Sequence, residues 1–425
     1  MKKIGVALLG VGTVGGGTYQ ILTSKKEFFK KTEGLDIEVL HVLEKNMTRT
    51  RELGIKDEIV SCDIDNVINN DDISIVCEFF GGIEPARSFL IKALEHGKSI
   101  VTANKELFSK HWSELQEAAK KGNAGLYFEA SCVGGVPIIR TITEGLQANN
   151  IRHIQGIING TTNYILSNMS DNGTTYEDAL KEAQKLGYAE ANPTADVEGF
   201  DAMYKISILS TLAYHKRLPI ERVYREGMSK IKIDDINYGK ELGYTLKLLA
   251  ISKNIDGKLE ARVHPAFVKN SNPLGAVKGS FNAVLLKGDS VGDIMLYGRG
   301  AGDLPTGSAI VSDIIYAAHR AEPYNYVIDE TTDSDFNNDF VCQYYLRLSV
   351  VDKAGNFANI ATVLGKNNVS LSQVVQKRKD DSEDIVPIII VTHETRESDI
   401  QNSIKELKSM ENVVKSVDAL IRVAK

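Results

Sequence analysis

Asp201 and Lys205 stand four residues apart at the end of GYAEANPTADVEGFDAMYK (187–205), and no further charged side chain follows through residue 214. On a helix this spacing puts both on one face. A lysine on an otherwise apolar helix is costly to bury unless paired, and burial moves its pKa toward use as a general acid or base; the same spacing also occurs in plain surface ion pairs. The loop before the pair gathers Glu190, Asp196 and Glu198 around Asn192-Pro193. These carboxylates suit a substrate's ammonium group, although Asp196 or Glu198 would equally serve as a helix cap. A second lysine, Lys105 in VTANKELF, follows an apolar run that reads as a strand. Ligands bind at that edge of open α/β sheets, while an ordinary lysine at a helix start is the other reading. None of the histidines stands in a context that recommends it as the acid or base, so the residues favour lysine for that role.

A glycine-rich turn supplies the second ingredient. Gly10-Val11-Gly12-Thr13-Val14-Gly15 fits GxGxxG after a predicted strand and before a predicted helix. The first glycine permits a tight turn, the second lets a pyrophosphate approach the backbone, and the third allows close helix packing. Helix N-terminal amides then face the phosphates. Glu44 closes the second predicted strand, where an acid would bond the ribose hydroxyls of NAD; Lys45, Arg49 and Arg51 nearby suit the 2′-phosphate of NADP. The balance leans toward NAD.

These groups must be held by a doubly wound α/β sheet. The runs IGVALLG, IEVLHVL, ISIVCEFF, SIVTA and LYFEA, begun at residues 4, 37, 73, 99 and 126, lack a two-residue period and alternate with helical segments. That pattern marks parallel strands covered on both faces. We expect a dinucleotide-binding Rossmann domain over 1–130, an α+β catalytic and dimerisation domain over 131–320, an acidic linker over 321–340, and a small domain over 341–425. The last reads strand 344–351, helix 356–366, strand 369–375, strand 385–392, helix 397–409, strand 413–423, a βαββαβ order. With 425 residues, 43% apolar content and a formal charge of −6, the chain has material for real cores and no basic excess to attract nucleic acid or a membrane surface. The scattered Cys62, Cys77, Cys132 and Cys342 form no CxxC pair, which suits a reducing cytoplasm. Glycines 10, 12, 15, 16 and 17 interrupt what would be the apolar core of a signal peptide.

With these motifs in view, the chain resembles the homoserine dehydrogenase family. The run from Ala183 to Lys205 matches the form A-x(3)-G-aromatic-x-E-x-[D/N]-P-x(2)-D-V-x-G-x-D-x(3)-K, and GIINGTTNYIL (156–166), TANK (102–105), FEASCVGGVPI (128–138) and YGRGAG (297–302) accompany it. The resemblance spans nearly all of residues 1–320. It implies interconversion of L-homoserine and L-aspartate 4-semialdehyde with NAD or NADP, in the pathway to threonine, methionine and isoleucine. It implies Lys205 as acid/base, supported by Lys105 near the nicotinamide. Glu190, Asp201 and Asp196 become substrate ligands, Asp196 taking the α-ammonium, with Gly160, Thr161 and Tyr188 completing the pocket and Gly187, Glu190 and Gly302 near the cofactor. It further implies a monovalent cation site, usually sodium, at Glu129, Cys132, Gly134 and Val136; a plain turn after a strand is the alternative there. Reading Cys132 as a nucleophile finds no histidine in the local sequence. Three departures stand out: Asn192 replaces the commoner aspartate, Leu43 replaces a basic residue frequent in NADP-using members, and Gly16-Gly17 extends the glycine turn where serine-glycine is common.

Residues 352–374, DKAGNFANIATVLGKNNVSLSQV, resemble an ACT domain, with Gly355 before its first helix. The resemblance implies L-threonine as effector, or assembly alone, in a homodimer or homotetramer. No kinase segment is expected ahead of residue 1. A non-catalytic amino-acid sensor is the competing class, and it would have no need of both lysines.

Overall fold

The computed structural model describes residues 1–324, 326–376 and 384–424. Strands β1 (Lys2–Leu9), β2 (Leu35–Leu43), β3 (Val60–Ser61), β4 (Ile73–Glu78), β5 (Ser99–Thr102) and β6 (Leu126–Tyr127) pair in parallel in the order β3-β2-β1-β4-β5-β6. Strand order reverses beside β1, so a crevice opens at the carboxyl ends of β1 and β4. β1 is apolar at consecutive positions because both its faces are covered. Ala7 and Leu9 enter one core with Leu90 and Phe108, and Val6 and Leu8 enter another with Ile310 and Ile314. The second core is closed by helix Asp303–His319, which returns from far downstream to lie on helix Thr13–Ser24. Gly17 makes that crossing possible, since a Cβ there would sit 2.4 Å from the carbonyl oxygen of Asp303. The extended glycine run, without evident meaning in the sequence, is therefore a packing device.

The rest of the chain builds one larger sheet. Strands β7 (Ile151–Ile157), β8 (Val223–Arg225), β9 (Tyr244–Ile255), β10 (Lys258–Lys269), β11 (Phe281–Gly288) and β12 (Gly292–Arg299) come from the middle of the chain. β13 (Val341–Val351), β14 (Leu371–Gln376), β15 (Ile385–Thr392), β16 (Thr395–Arg396) and β17 (Val414–Ala424) come from its C-terminal part, with helices Asn356–Lys366 and Glu397–Ser409. The order is β12-β11-β7-β9-β10-β17-β13-β15-β14, with β8 on β10 and β16 on β13. The βαββαβ order holds, with the short β16 added. Its sheet is joined to the middle one, for β17 lies parallel to β10 with Ala266 opposite Arg422 and Val268 opposite Ala424. The acidic stretch ahead of β13 is strapped to the middle of the chain: Asp329 N–H donates to the His215 carbonyl at 2.9 Å and Asn337 N–H to the Leu259 carbonyl at 2.8 Å.

Candidate active site

A cavity of about 640 Å³ lies between the glycine turn and the starts of helices Gly160–Asn172 and Phe200–Tyr214. Lys105, Gly160, Thr161, Gly187, Tyr188, Glu190, Asp196, Asp201, Lys205 and Gly302, drawn from distant parts of the sequence, all border it. Asp201 and Lys205 are 6% and 8% exposed, so they form a buried pair rather than a surface one. Lys205 Nζ donates to Asp201 Oδ2 at 2.6 Å and to the Ile158 carbonyl at 2.9 Å. Lys105 Nζ lies 3.0 Å from Asp201 Oδ1. One carboxylate thus bridges two ammonium groups. Burial alone would raise the Asp201 pKa, but the charges of Lys205 and Lys105 and the bond from Asn159 hold it well below the usual carboxylate range. The Asp201 charge in turn raises the Lys105 pKa against the cost of desolvation.

Asn159 is the residue that sequence reasoning missed. Its Nδ2 donates to Asp196 Oδ1 at 2.7 Å and to Asp201 Oδ2 at 2.9 Å, while its Oδ1 accepts from Thr162 N–H at 2.9 Å and caps the helix. An asparagine directly before Gly-Thr-Thr is a capping signal, but its second function depends on a contact from 37 positions away. Burial, then the Asp201 charge, raise the Asp196 pKa, so an arriving cation would be welcome there. Neither Asp196 nor Glu198 caps helix Phe200–Tyr214, whose N-cap is Gly199 at φ +80 without a side-chain bond. Glu198 does not border the cavity; its Oε1 accepts from the Ser229 hydroxyl at 2.7 Å. Thr161 donates to the Tyr188 carbonyl at 2.6 Å, closing the rim. Ser280, Arg299 and Thr306 also line the cavity without having been singled out in the sequence.

The glycine turn has the shape a dinucleotide needs. Gly10 has φ +95, a Cβ on Gly15 would strike the Gly10 carbonyl oxygen at 2.3 Å, and the Cβ position of Gly12 faces open space. Thr13 and Val14 border the cavity. Glu44 sits beside the turn, its Oε2 accepting from Val11 N–H at 3.0 Å and its Oε1 from Lys45 and Asn46 N–H at 2.8 and 2.9 Å.

Behind the cavity, Glu129 is 3% exposed. Its carboxylate oxygens accept from Ile139 and Arg140 N–H, both at 2.8 Å, and its own N–H donates to Asp313. Burial, with the Asp313 charge, pushes its pKa to about 7. Val133 and Gly134 both have positive φ, so the chain folds tightly on itself between Cys132 and Val136. Burial pushes the Cys132 thiol up to about 12, which makes it inert as a nucleophile. Among the described residues no group of three or more His, Cys, Asp or Glu could hold a metal ion. A cation at 129–136 would therefore rest chiefly on main-chain carbonyls.

The chain is similar to known proteins over its whole length. Residues 137–315 match the family model described as homoserine dehydrogenase, 10–129 its NAD binding domain, and 344–412 the ACT domain. The homoserine dehydrogenase of Bacillus subtilis (strain 168) is 38% identical, with 100% of this chain and 99% of the relative covered. That of Pseudomonas aeruginosa is 38% identical over 97% of each. A crystal structure of a homoserine dehydrogenase from Thiobacillus denitrificans superposes with a TM-score of 0.93 at 39% identity, covering 100% of this chain and 99% of that one. A hyperthermophilic archaeal homoserine dehydrogenase in complex with NADPH covers 74% of this chain and 97% of its own, with a TM-score of 0.64 at 28% identity. With full-length relatives well above 30% identity and a buried Asp201–Lys205 pair below a glycine turn, the chain belongs to the homoserine dehydrogenase family, as an oxidoreductase with an NAD(P)-binding domain and a C-terminal ACT domain.

Proposed function

We propose that Lys205 is the acid/base in the interconversion of L-homoserine and L-aspartate 4-semialdehyde. The observation that carries this reading is Asp201 bridging Lys205 and Lys105 at the wall of the cavity below the glycine turn. An ammonium has three N–H donors, and two of those on Lys205 are committed to Asp201 and Ile158. The third is free for the substrate's reacting oxygen: it is donated to the carbonyl in reduction, and the neutral amine takes the hydroxyl proton in oxidation. A bound nicotinamide dinucleotide supplies the hydride donor or acceptor. Gly10, Gly12 and Gly15 with the amides of Thr13 and Val14 would hold its pyrophosphate and Glu44 its ribose, Gly187, Glu190 and Gly302 would approach it, and Lys105 would stand near the nicotinamide. Asp196 receives the substrate's α-ammonium, Glu190 and Asp201 are its further ligands, and Gly160, Thr161 and Tyr188 complete the pocket. Glu44 and Leu43 favour NAD.

Three further assignments belong to the same reading. Glu129 with the carbonyls of Cys132, Gly134 and Val136 would hold a sodium ion; the Val136 carbonyl already accepts from Ile138 N–H at 2.8 Å, but a carbonyl oxygen has a second lone pair. L-Threonine acts at the ACT domain near Gly355, which has φ +88 and opens helix Asn356–Lys366. The enzyme works in the cytoplasm, in the route to threonine, methionine and isoleucine, as a homodimer or homotetramer. The test is the initial rate of nicotinamide reduction with L-homoserine, run with NAD and with NADP, each with and without L-threonine. Turnover supports the assignment; a folded protein silent with both cofactors overturns it.

A further inference from the structure

Arg422, in β17, is 2% exposed and is shared between the C-terminal unit and the middle of the chain. Its Nε and Nη2 donate to the Glu397 carboxylate at 3.1 and 2.8 Å, within the C-terminal unit. Its Nη1 crosses to Glu226 Oε2 at 2.6 Å, its Nη2 to the Tyr224 hydroxyl at 2.8 Å, and the guanidinium lies 4.7 Å from the centre of the Tyr224 ring. Glu397 alone would neutralise a buried arginine, so the second carboxylate makes Arg422 a cross-link. Beside this junction the two units are parted by a cleft of about 530 Å³, bordered by Glu226, Gly227, Lys230, Asp418 and Arg422.

Glu226 belongs to the short segment that leaves β8 and grips the catalytic loop. Met228 N–H donates to the Val197 carbonyl at 2.9 Å, and the Ser229 hydroxyl to Glu198 at 2.7 Å. The Arg225 guanidinium donates to the Glu198 carbonyl and stacks 3.7 Å from the centre of the Phe200 ring. Gly199, the N-cap of the helix that carries Asp201 and Lys205, lies against the Val263 and Arg225 side chains. An unbroken series of bonded groups thus runs from β17 through Arg422, Glu226 and residues 225–229 to the backbone between Asp196 and Asp201.

The geometry points to Arg422 as a positioning residue for the reaction, setting through Glu226 the spacing of Asp196 and Asp201 and making the C-terminal unit part of the substrate site. This inference rests on the reading of those two aspartates as substrate ligands. Glu226 is the residue to change, because its side chain is 41% exposed and Arg422 keeps Glu397 when it is lost. In full-length Glu226→Ala, the KM for L-homoserine should rise about threefold to tenfold while the KM for the dinucleotide and the melting temperature stay near wild type. Glu226→Gln, which keeps an acceptor oxygen, should recover part of the loss. Asp196→Asn is measured in parallel. If it raises the homoserine KM and Glu226→Ala does not, the positioning role is wrong. If Asp196→Asn leaves that KM unmoved, the ligand assignment fails and takes this inference with it. Equal losses in homoserine KM, dinucleotide KM and melting temperature for Glu226→Ala would mean general loosening, and would also overturn it.

Discussion

At the scale of single residues, the site is organised around shared charge. Asp201 is shared between two lysines, so removing either lysine leaves a carboxylate that still has a partner. Lys205→Ala should therefore fold and bind dinucleotide, while kcat falls by at least ~10²-fold, the usual worth of a positioned proton donor; steady-state kinetics beside a dinucleotide titration checks both halves. Asn159→Ala should do more diffuse harm. It leaves Thr162 N–H uncapped, at about 1 kcal/mol of stability, and withdraws a charge-assisted donor from Asp196 and Asp201 worth about 1.5–3 kcal/mol. Thermal melts and kcat/KM should both register it. The carboxyl groups behind the cavity set a pH dependence of stability. Burial raises Glu129 from 4.5 to about 7 and Asp313 from 3.8 to about 6. Their neutral forms are favoured in the folded protein, so stability is fullest below the unfolded pKa values and declines as pH rises from about 4 to about 7. Asp201 acts in the opposite sense, but its lowered pKa confines that loss to lower pH. Melting temperature should fall across that upper window, and the fall should shrink in Asp313→Asn.

The elements show which features of the site are local and which are long-range. β1, the turn from Gly10 to Gly15 and the start of the following helix are legible in the sequence, because consecutive apolar residues and glycine spacing act within a dozen positions. The face shared by Asp201 and Lys205 is legible for the same reason. The bond from Lys105 to Asp201 and the bridge made by Asn159 join segments that only the folded chain brings together, and no local period announces them. Helix Asp303–His319 is a comparable case. Nothing near it in the sequence says that it covers the first sheet beside Gly17. That contact gives a sharp test: Gly17→Ala places a Cβ 2.4 Å from the Asp303 carbonyl oxygen, an unyielding backbone atom. Overpacking of this kind costs about 1–3 kcal/mol. A melt should show the loss, whereas Gly12→Ala, with open space at its Cβ, should leave the melt almost unchanged and weaken dinucleotide binding instead.

At the scale of the whole molecule, the sequence suggested three units in a row, and the structure joins the last two through one sheet. Composition reveals the acidic stretch ahead of β13, but pairing between β10 and β17 has no local signature, since any apolar strand of suitable length could take the place. Buried polar ties reinforce the joint: Arg347 Nε and Nη2 reach Asp235 at 2.7 and 3.1 Å, and the Tyr345 hydroxyl reaches it at 3.1 Å. A variant ending at residue 340 should expose the edge of β10 and strand the Asp235 carboxylate; light scattering should show association, and a monodisperse, well-melting product would count against the joint as a structural necessity.

The parallel strand laid down between β10 and β13 also bears on how the chain acquires its shape. β9 and β10 are neighbours in sequence and can zip together early, but β10 then holds one row of amides and carbonyls for a mate that lies far downstream. Loop closure over such a span is slow, and open edges in the interval invite wrong partners. Refolding from denaturant should accordingly show the β1–β6 sheet regaining its protection before the β10 amides facing β17, a sequence of events that pulsed hydrogen exchange can time.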